Sequence, residues 1–214
     1  SSLRMIFSSG VMFSDPVKER LLKYCDVSIV DALGSSEGTG IGNQISSRSS
    51  GKSGTARFVL GPHTRVFTDE GEEVLPGSQE RGRLATGYPL PLGYFKDPKK
   101  TAQTFPEING RRWSMAGDYA VVEEDGTITL LGRGSVCINT GGEKVYPEEV
   151  EEALKELESV RDCNVVGIED DRWGQAVTAV VELEDYVPLE ENTAAGLQTD
   201  VRKSLAGYKV PKDI

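Results

Sequence analysis

The chain has a single histidine, His63, and only three cysteines, Cys25, Cys137 and Cys163, with no C-x-x-C pair among them. One histidine and no Gly-x-Ser-x-Gly elbow leave a serine-hydrolase triad unsupported. An odd number of cysteines at these spacings argues against a disulfide framework and for a reducing compartment. No apolar run approaches the ~20 residues of a membrane span, and the stretch from Leu3 to Phe13 is broken by Ser8-Ser9-Gly10. Positive charge is scarce as well: 24 Lys and Arg stand against 34 Asp and Glu, a net charge of -10. That balance opposes non-specific nucleic-acid binding, because phosphate backbones need positive neutralisation. These absences describe a soluble, cytoplasmic protein without a nucleic-acid partner or a transmembrane segment, and compatible with peripheral membrane contact.

With 214 residues the chain can bury one large core or two ordinary ones. Residues Arg4 to Phe7 read as a strand. Ser14-Asp15-Pro16 supplies a cap with proline in the first turn, opening a helix expected to turn Val17, Leu21 and Leu22 inward. Val27 to Asp31 reads as a second buried strand, so this opening is a strand-helix-strand unit, whose ligands bind beyond the carboxyl ends of the strands. From Thr55 to Leu131 short β-branched runs alternate with the turn signals Asp69-Glu70-Gly71, Pro76-Gly77 and Asp125-Gly126, a β-rich subdomain of distorted-barrel type. Beyond it, Pro147 precedes Val150, Ala153, Leu154 and Leu157 at helical spacing, with Glu148, Glu149, Glu151, Glu152 and Lys155 on the other face. Strands over Asn164 to Ile168 and Val177 to Leu183, then a helix carrying Leu197, Val201 and Leu205, complete a small α+β domain. Ser46 to Thr55 is a Ser/Gly-rich loop expected to be mobile.

Three blocks stand out in order. Leu33-Gly34-Ser35-Ser36-Glu37 follows a strand, and its glycine and small hydroxyls let donors approach a phosphate closely. Gly117-Asp118 closes Trp113-Ser114-Met115-Ala116-Gly117-Asp118. Gly132-Arg133-Gly134-Ser135 then leads to Gly141-Gly142 and Glu143-Lys144-Val145-Tyr146-Pro147. In this order and spacing the blocks resemble the adenylate-forming superfamily, and within it the acyl-coenzyme A synthetases.

The resemblance implies a fold that is α/β plus α+β: residues 1–133 as the C-terminal portion of a large AMP-binding domain, divided into a sheet-and-helix part (1–54) and a β-rich part (55–133), followed by a small mobile domain over 134–214. It implies ATP, Mg²⁺ and coenzyme A as cofactor and co-substrates, and a fatty, alicyclic or steroid carboxylic acid as substrate. Ser36 is implied to contact the α-phosphate and Glu37 to hold Mg²⁺, for which a carboxylate is a suitable hard oxygen ligand. Gly10, Val11, Asp31, Leu33 and Gly34 are implied to line the nucleotide site, with aliphatic Leu33 where an aromatic residue is commoner. Asp118 would accept both ribose hydroxyls, since a carboxylate offers two acceptors to a vicinal diol. Arg133 would add a planar donor fork to ribose or phosphate, Gly134 and Ser135 a hinge, and Gly141 and Gly142 the wall of a pantetheine tunnel.

The bland readings of these positions are a solvated loop for residues 33–37, a turn-closing aspartate for Asp118, a surface ion pair for Arg133 and a hairpin turn for Gly141-Gly142. Gly51-Lys52-Ser53 resembles the end of a phosphate loop, but Ser46 stands where that motif needs glycine. The resemblance also implies an upstream phosphate loop and a downstream adenylating lysine, neither found between Ser1 and Ile214. On that ground the chain is expected to be a fragment, and inactive by itself. Alternatives are an acyl-AMP ligase loading a carrier protein, and a non-catalytic nucleotide-binding or interaction module.

Overall fold

The computed structural model describes residues 2–10, 13–50, 54–186, 188 and 193–214. It divides into two compact units, Ser1–Leu131 and Gly132–Ile214; the sequence puts the division after Arg133.

In the first unit β1 (Met5–Ser9), α1 (Asp15–Tyr24) and β2 (Ser28–Ser35) form the expected strand-helix-strand, with β1 and β2 parallel and Met5 opposite Ser28. Proline in the first turn sets the start of α1, but Ser14 makes no side-chain cap bond. Asp15 instead accepts the Gly54 amide at 2.8 Å, and Arg48 donates to the carbonyls of Leu22 (2.6 Å) and Lys23 (3.0 Å) at the other end of the helix. The loop after residue 46 is therefore tied to both ends of α1. The inward face of α1 departs from expectation. Val17 is exposed and Lys18 is buried, because Lys18 Nζ pairs with Asp31 Oδ2 at 3.2 Å and donates to Gln44 Oε1. A buried cation needs such partners to offset its lost hydration.

After β3 (Gly38–Ser46) come β4 (Arg57–Leu60), β5 (Thr64–Phe67), β6 (Arg81–Thr86), the short helix α2 (Pro98–Thr104), the two-residue strands β7 (Glu107–Ile108) and β8 (Arg111–Arg112), β9 (Asp118–Val122) and β10 (Ile128–Arg133). The expected distorted barrel is not formed. Among the described residues the order is β1-β2-β3-β4-β10-β9-β6-β5, one open mixed sheet of eight strands. The physical reason lies at β4, which pairs with β3 (Gly42 opposite Leu60) as well as with β10 (Ile128 opposite Phe58), so the β-rich strands extend the first sheet and do not close on themselves. One core gathers Ile41, Phe58, Val66, Leu84, Ala120 and Ile128; a smaller one joins Phe67, Ala85, Trp113 and Met115.

The second unit opens on a 3-10 turn, Gly134–Val136, followed by β11 (Ile138–Thr140), β12 (Glu143–Val145), α3 (Pro147–Lys155), β13 (Val160–Asp170), β14 (Gly174–Leu183) and α4 (Ala194–Val201). Its sheet runs β12-β11-β14-β13. Val150, Ala153 and Leu154 of α3 bury against Cys163, Val165, Val177, Leu197 and Val201, with Leu157 packed at the edge. Proline and two glutamates in the first turn of α3, and Lys155 in its last, suit the helix dipole.

Candidate active site

Ser36 and Glu37 form the tip of the β2–β3 hairpin, between the paired residues Ser35 and Gly38. Two-residue hairpin loops normally take positive φ to match strand twist, yet neither residue does. The turn is held by other means. The register shifts between Leu33 and Ser35, and Ser35 Oγ accepts the amides of Glu37 (3.2 Å) and Gly38 (3.1 Å). Gly38 has no room for a side chain, because a β-carbon there would collide with Thr86 Cγ2.

The half-buried Glu37 carboxylate is fixed from outside the hairpin: Tyr94 donates its hydroxyl proton to Oε1 at 2.6 Å. That hydrogen bond holds the carboxyl below its ordinary pKa against the opposing effect of partial burial, helped by Glu37's own backbone amide, Ser35 and the positive Lys100. Glu37 is thus an anion at neutral pH. Tyr94 is in turn steadied by Thr101, whose Oγ1 accepts its amide at 2.9 Å, and by Lys100 Nζ, 4.3 Å from its ring centroid. Nothing in the sequence pattern singled out Tyr94. Its one local signal is Asp97-Pro98, which starts α2, with the Asp97 carboxylate accepting the Lys100 amide at 2.9 Å.

Asp118 begins β9 and is half-buried. Arg83 pairs with Tyr119, so Asp118 stands across from Leu84, and Thr86, the residue against Gly38, lies about 7 Å further along β6 at ordinary strand rise. Thr86 also exchanges backbone hydrogen bonds with Ser114 (3.0 and 2.8 Å). The contact of Gly38 with Thr86 therefore brings the Ser36-Glu37 tip near the strand pair that carries Asp118. Gly117, with φ +103, makes the bend before Asp118.

Other expected residues are differently placed. Asp31 is 4% exposed and its carboxylate is committed to Lys18, whose proximity opposes the upward push of burial on its pKa. Leu33 packs against the larger core of the first unit. Gly34 is exposed, Gly10 has φ +92 with open space around it, and Val11 lies outside the described residues. Among the described residues no three or more His, Cys, Asp or Glu are grouped to hold a metal by themselves. A lone anionic carboxylate at Glu37 fits Mg²⁺ in the mode where one or two protein carboxylates are completed by substrate phosphates and water.

In the second unit Arg133 is exposed, as is Ser135 in the 3-10 turn. Gly132, at φ +116, leaves no space for a β-carbon beside the Glu148 carboxylate. Gly141 and Gly142 are the two-residue loop between β11 and β12, at φ +60 and +87. A β-carbon on Gly141 would sit 3.1 Å from the Trp173 ring, and its amide donates to the Trp173 carbonyl at 2.8 Å. Trp173 itself, missed in the sequence, is flanked by the Arg172 guanidinium (4.6 Å from the ring centroid) and Lys212 Nζ (5.1 Å).

Residues 149–214 match the family of the AMP-binding enzyme C-terminal domain, and the chain as a whole is similar to adenylate-forming CoA ligases. Over its whole length it is 47% identical to a medium/long-chain-fatty-acid–CoA/3-oxocholest-4-en-26-oate–CoA ligase of Mycobacterium tuberculosis, covering 39% of that protein. It is also 47% identical to a 3-oxocholest-4-en-26-oate–CoA ligase of Rhodococcus rhodochrous, covering 38% of it. The chain thus spans about two fifths of the length of these relatives. The fold matches that of the anthranilate CoA ligase AuaEII solved with anthranoyl-AMP, with a TM-score of 0.82 over all of this chain and 40% of that one at 24% identity.

Proposed function

We propose that the protein is an AMP-forming carboxylate–CoA ligase, joining a fatty or steroid acid to coenzyme A through an acyl adenylate. The observation that carries this reading is the hairpin tip. An anionic Glu37, oriented by Tyr94 and brought toward the strand of Asp118 by the contact of Gly38 with Thr86, is suited to a nucleotide whose phosphate and ribose lie a few ångströms apart. In this reading Glu37 would hold Mg²⁺, which would supply positive charge toward the α-phosphate. Ser36 donates its hydroxyl to that phosphate and Asp118 accepts from both ribose hydroxyls. Arg133 adds a cationic donor, Gly10 and Gly34 line the nucleotide, and Gly134 with Ser135 supplies a hinge.

Gly141 and Gly142 admit the thiol arm in the second step, since a bare backbone leaves space beside the Trp173 ring edge and Arg172 and Lys212, which lie over that ring, offer positive charge to an anionic co-substrate. The similarity to ligases of fatty and steroid acids supports the substrate class. Three free cysteines support a cytoplasmic location, and no helix among the described residues is long and apolar enough to cross a membrane. The test is ATP–pyrophosphate exchange and thioester formation by the full-length protein with a panel of fatty and steroid acids. Exchange followed by acyl-CoA is expected; silence with every acid removes the proposal, and exchange without thioester redirects it to another acceptor.

A further inference from the structure

Of the two cations beside Trp173, Arg172 is its sequence neighbour and Lys212 comes from a distant segment. Trp173 and Arg172 are fixed locally: the Asp170 carboxylate accepts both their amides at 2.8 Å, and the Trp173 carbonyl accepts the Gly141 amide. Lys212 belongs to the segment from Lys209 to Asp213, which follows α4 and is pinned at several points. Lys209 Nζ pairs with Glu149 Oε1 of α3 at 2.5 Å. Val210 is buried in the core of the second unit. The Lys212 amide donates to the Val177 carbonyl at 2.7 Å, and the Asp213 carbonyl accepts the Ala179 amide at 3.0 Å, both partners lying on β14.

One side chain holds this segment in a different way. Gln198, on α4, donates from its side-chain amide nitrogen to two successive carbonyls, Pro211 at 3.0 Å and Lys212 at 3.2 Å. In an extended chain successive carbonyls point to opposite sides, so one nitrogen reaches both only where the backbone bends. The bend falls at Lys212. A primary amide has two protons for the two acceptors, and a half-buried Gln198 therefore closes the bend from a separate element.

We propose that Gln198 is a positioning residue for the co-substrate step. By holding the bend at Pro211-Lys212 it sets the Lys212 ammonium 5.1 Å from the Trp173 ring centroid, beside the Gly141 loop, where that charge meets a phosphate group of coenzyme A. The inference rests on the ligase reading and deepens it: Gln198 touches no substrate and acts only through Lys212. A lysine is a compact charge on a flexible four-carbon stem, and immobilising it on binding costs rotamer freedom. Fixing its backbone beforehand limits the volume the ammonium searches, which is preorganisation of the site. Arg172 needs no such clamp, because the Asp170 turn already fixes its backbone.

The experiment is steady-state thioester formation by the full-length protein from supplied acyl adenylates of fatty and steroid acids, with coenzyme A varied and kcat separated from KM. Gln198→Met keeps the length of the side chain and removes its donors; KM for coenzyme A should rise about fivefold, the effect of one lost hydrogen-bonding contact, with kcat kept. Lys212→Met removes the charge and leaves in place both carbonyls that Gln198 grips; it should raise KM about tenfold or more. Adding Gln198→Met to Lys212→Met should change nothing further, because a residue that works through Lys212 then has nothing left to position. A glutamine with a merely structural role would act alike in both backgrounds. An unchanged KM in either single variant, or additive effects in the double variant, overturns the inference while thioester formation by the parent keeps the ligase reading standing. A parent that forms no thioester from any adenylate removes that reading, and the inference with it.

Discussion

Each unit carries a two-residue hairpin tip at its proposed working edge, and the two are built in opposite ways. In the first unit Ser36 and Glu37 turn without positive φ, held by the Ser35 hydroxyl, a register shift and the Tyr94 hydroxyl. In the second, Gly141 and Gly142 turn by positive φ, the Gly141 amide donating to the Trp173 carbonyl, and Gly141 lies bare against the Trp173 ring. On the proposed reading the first tip is fixed by side chains so as to present a carboxylate in a defined orientation, and the second by backbone so as to leave room for a slender chain.

The largest effect expected from breaking this contrast is at the carboxylate. Glu37→Gln keeps the shape of the tip and removes its charge, and should lower the adenylation rate by about 10²- to 10³-fold, read by pyrophosphate exchange with the melting temperature unchanged. Next is the supporting hydroxyl. Tyr94→Phe deletes a hydrogen bond to a charged group, worth about 1.5–3 kcal/mol; the expected result is roughly a tenfold or greater fall in the same exchange rate, eased by raising Mg²⁺, while thioester formation from supplied acyl adenylate is spared. Gly141→Ala should do the converse. Forcing a β-carbon into the left-handed region costs about 1–2 kcal/mol, and its contact with Trp173 adds to this, so the expected signature is a raised KM for coenzyme A with exchange intact.

Two smaller effects bear on the scaffold behind the tips. Burial pushes the Cys163 thiol up to about 12, so alkylation of the folded protein below about pH 10 should modify Cys25 and Cys137 and leave Cys163 untouched; mass mapping after iodoacetamide reads this directly. A third hairpin tip, between β9 and β10, is closed by its own hydrogen bonds. The Thr127 hydroxyl and amide, then Arg57, hold the Asp125 carboxyl down to about 2 from 3.8. A folded pKa below the unfolded one means stability that is present above pH 3.8 and lost as pH falls through 2. Asp125→Asn should therefore flatten part of the acid loss of melting temperature over that window and do nothing to either half-reaction.

What was legible in the sequence follows from the range of the forces involved. The turn of α3 that buries Val150, Ala153 and Leu154 is written in local periodicity, and the Ser36-Glu37 and Gly141-Gly142 tips in short motifs with a chemical reason for each residue. Tyr94 was not legible, because its meaning comes from a carboxylate 57 residues away. Nor was Trp173, whose neighbours Gly141 and Lys212 lie on other segments. Lys18 broke the amphipathic pattern of α1 for a similar reason: its burial is compensated by Asp31 on β2 and Gln44 on β3. The open sheet in place of a barrel hangs on β4 taking β3 as its second neighbour, and strand composition does not encode that choice.

The central claim is that the Ser36-Glu37 tip and Asp118 serve one nucleotide. Titrating the isotope-labelled protein with a non-hydrolysable acyl adenylate analogue, while following backbone amide resonances, tests it most directly. The amides of Glu37, Gly38 and Asp118 should shift together along one saturation curve. Separate curves, or movement at one end and none at the other, would contradict the account.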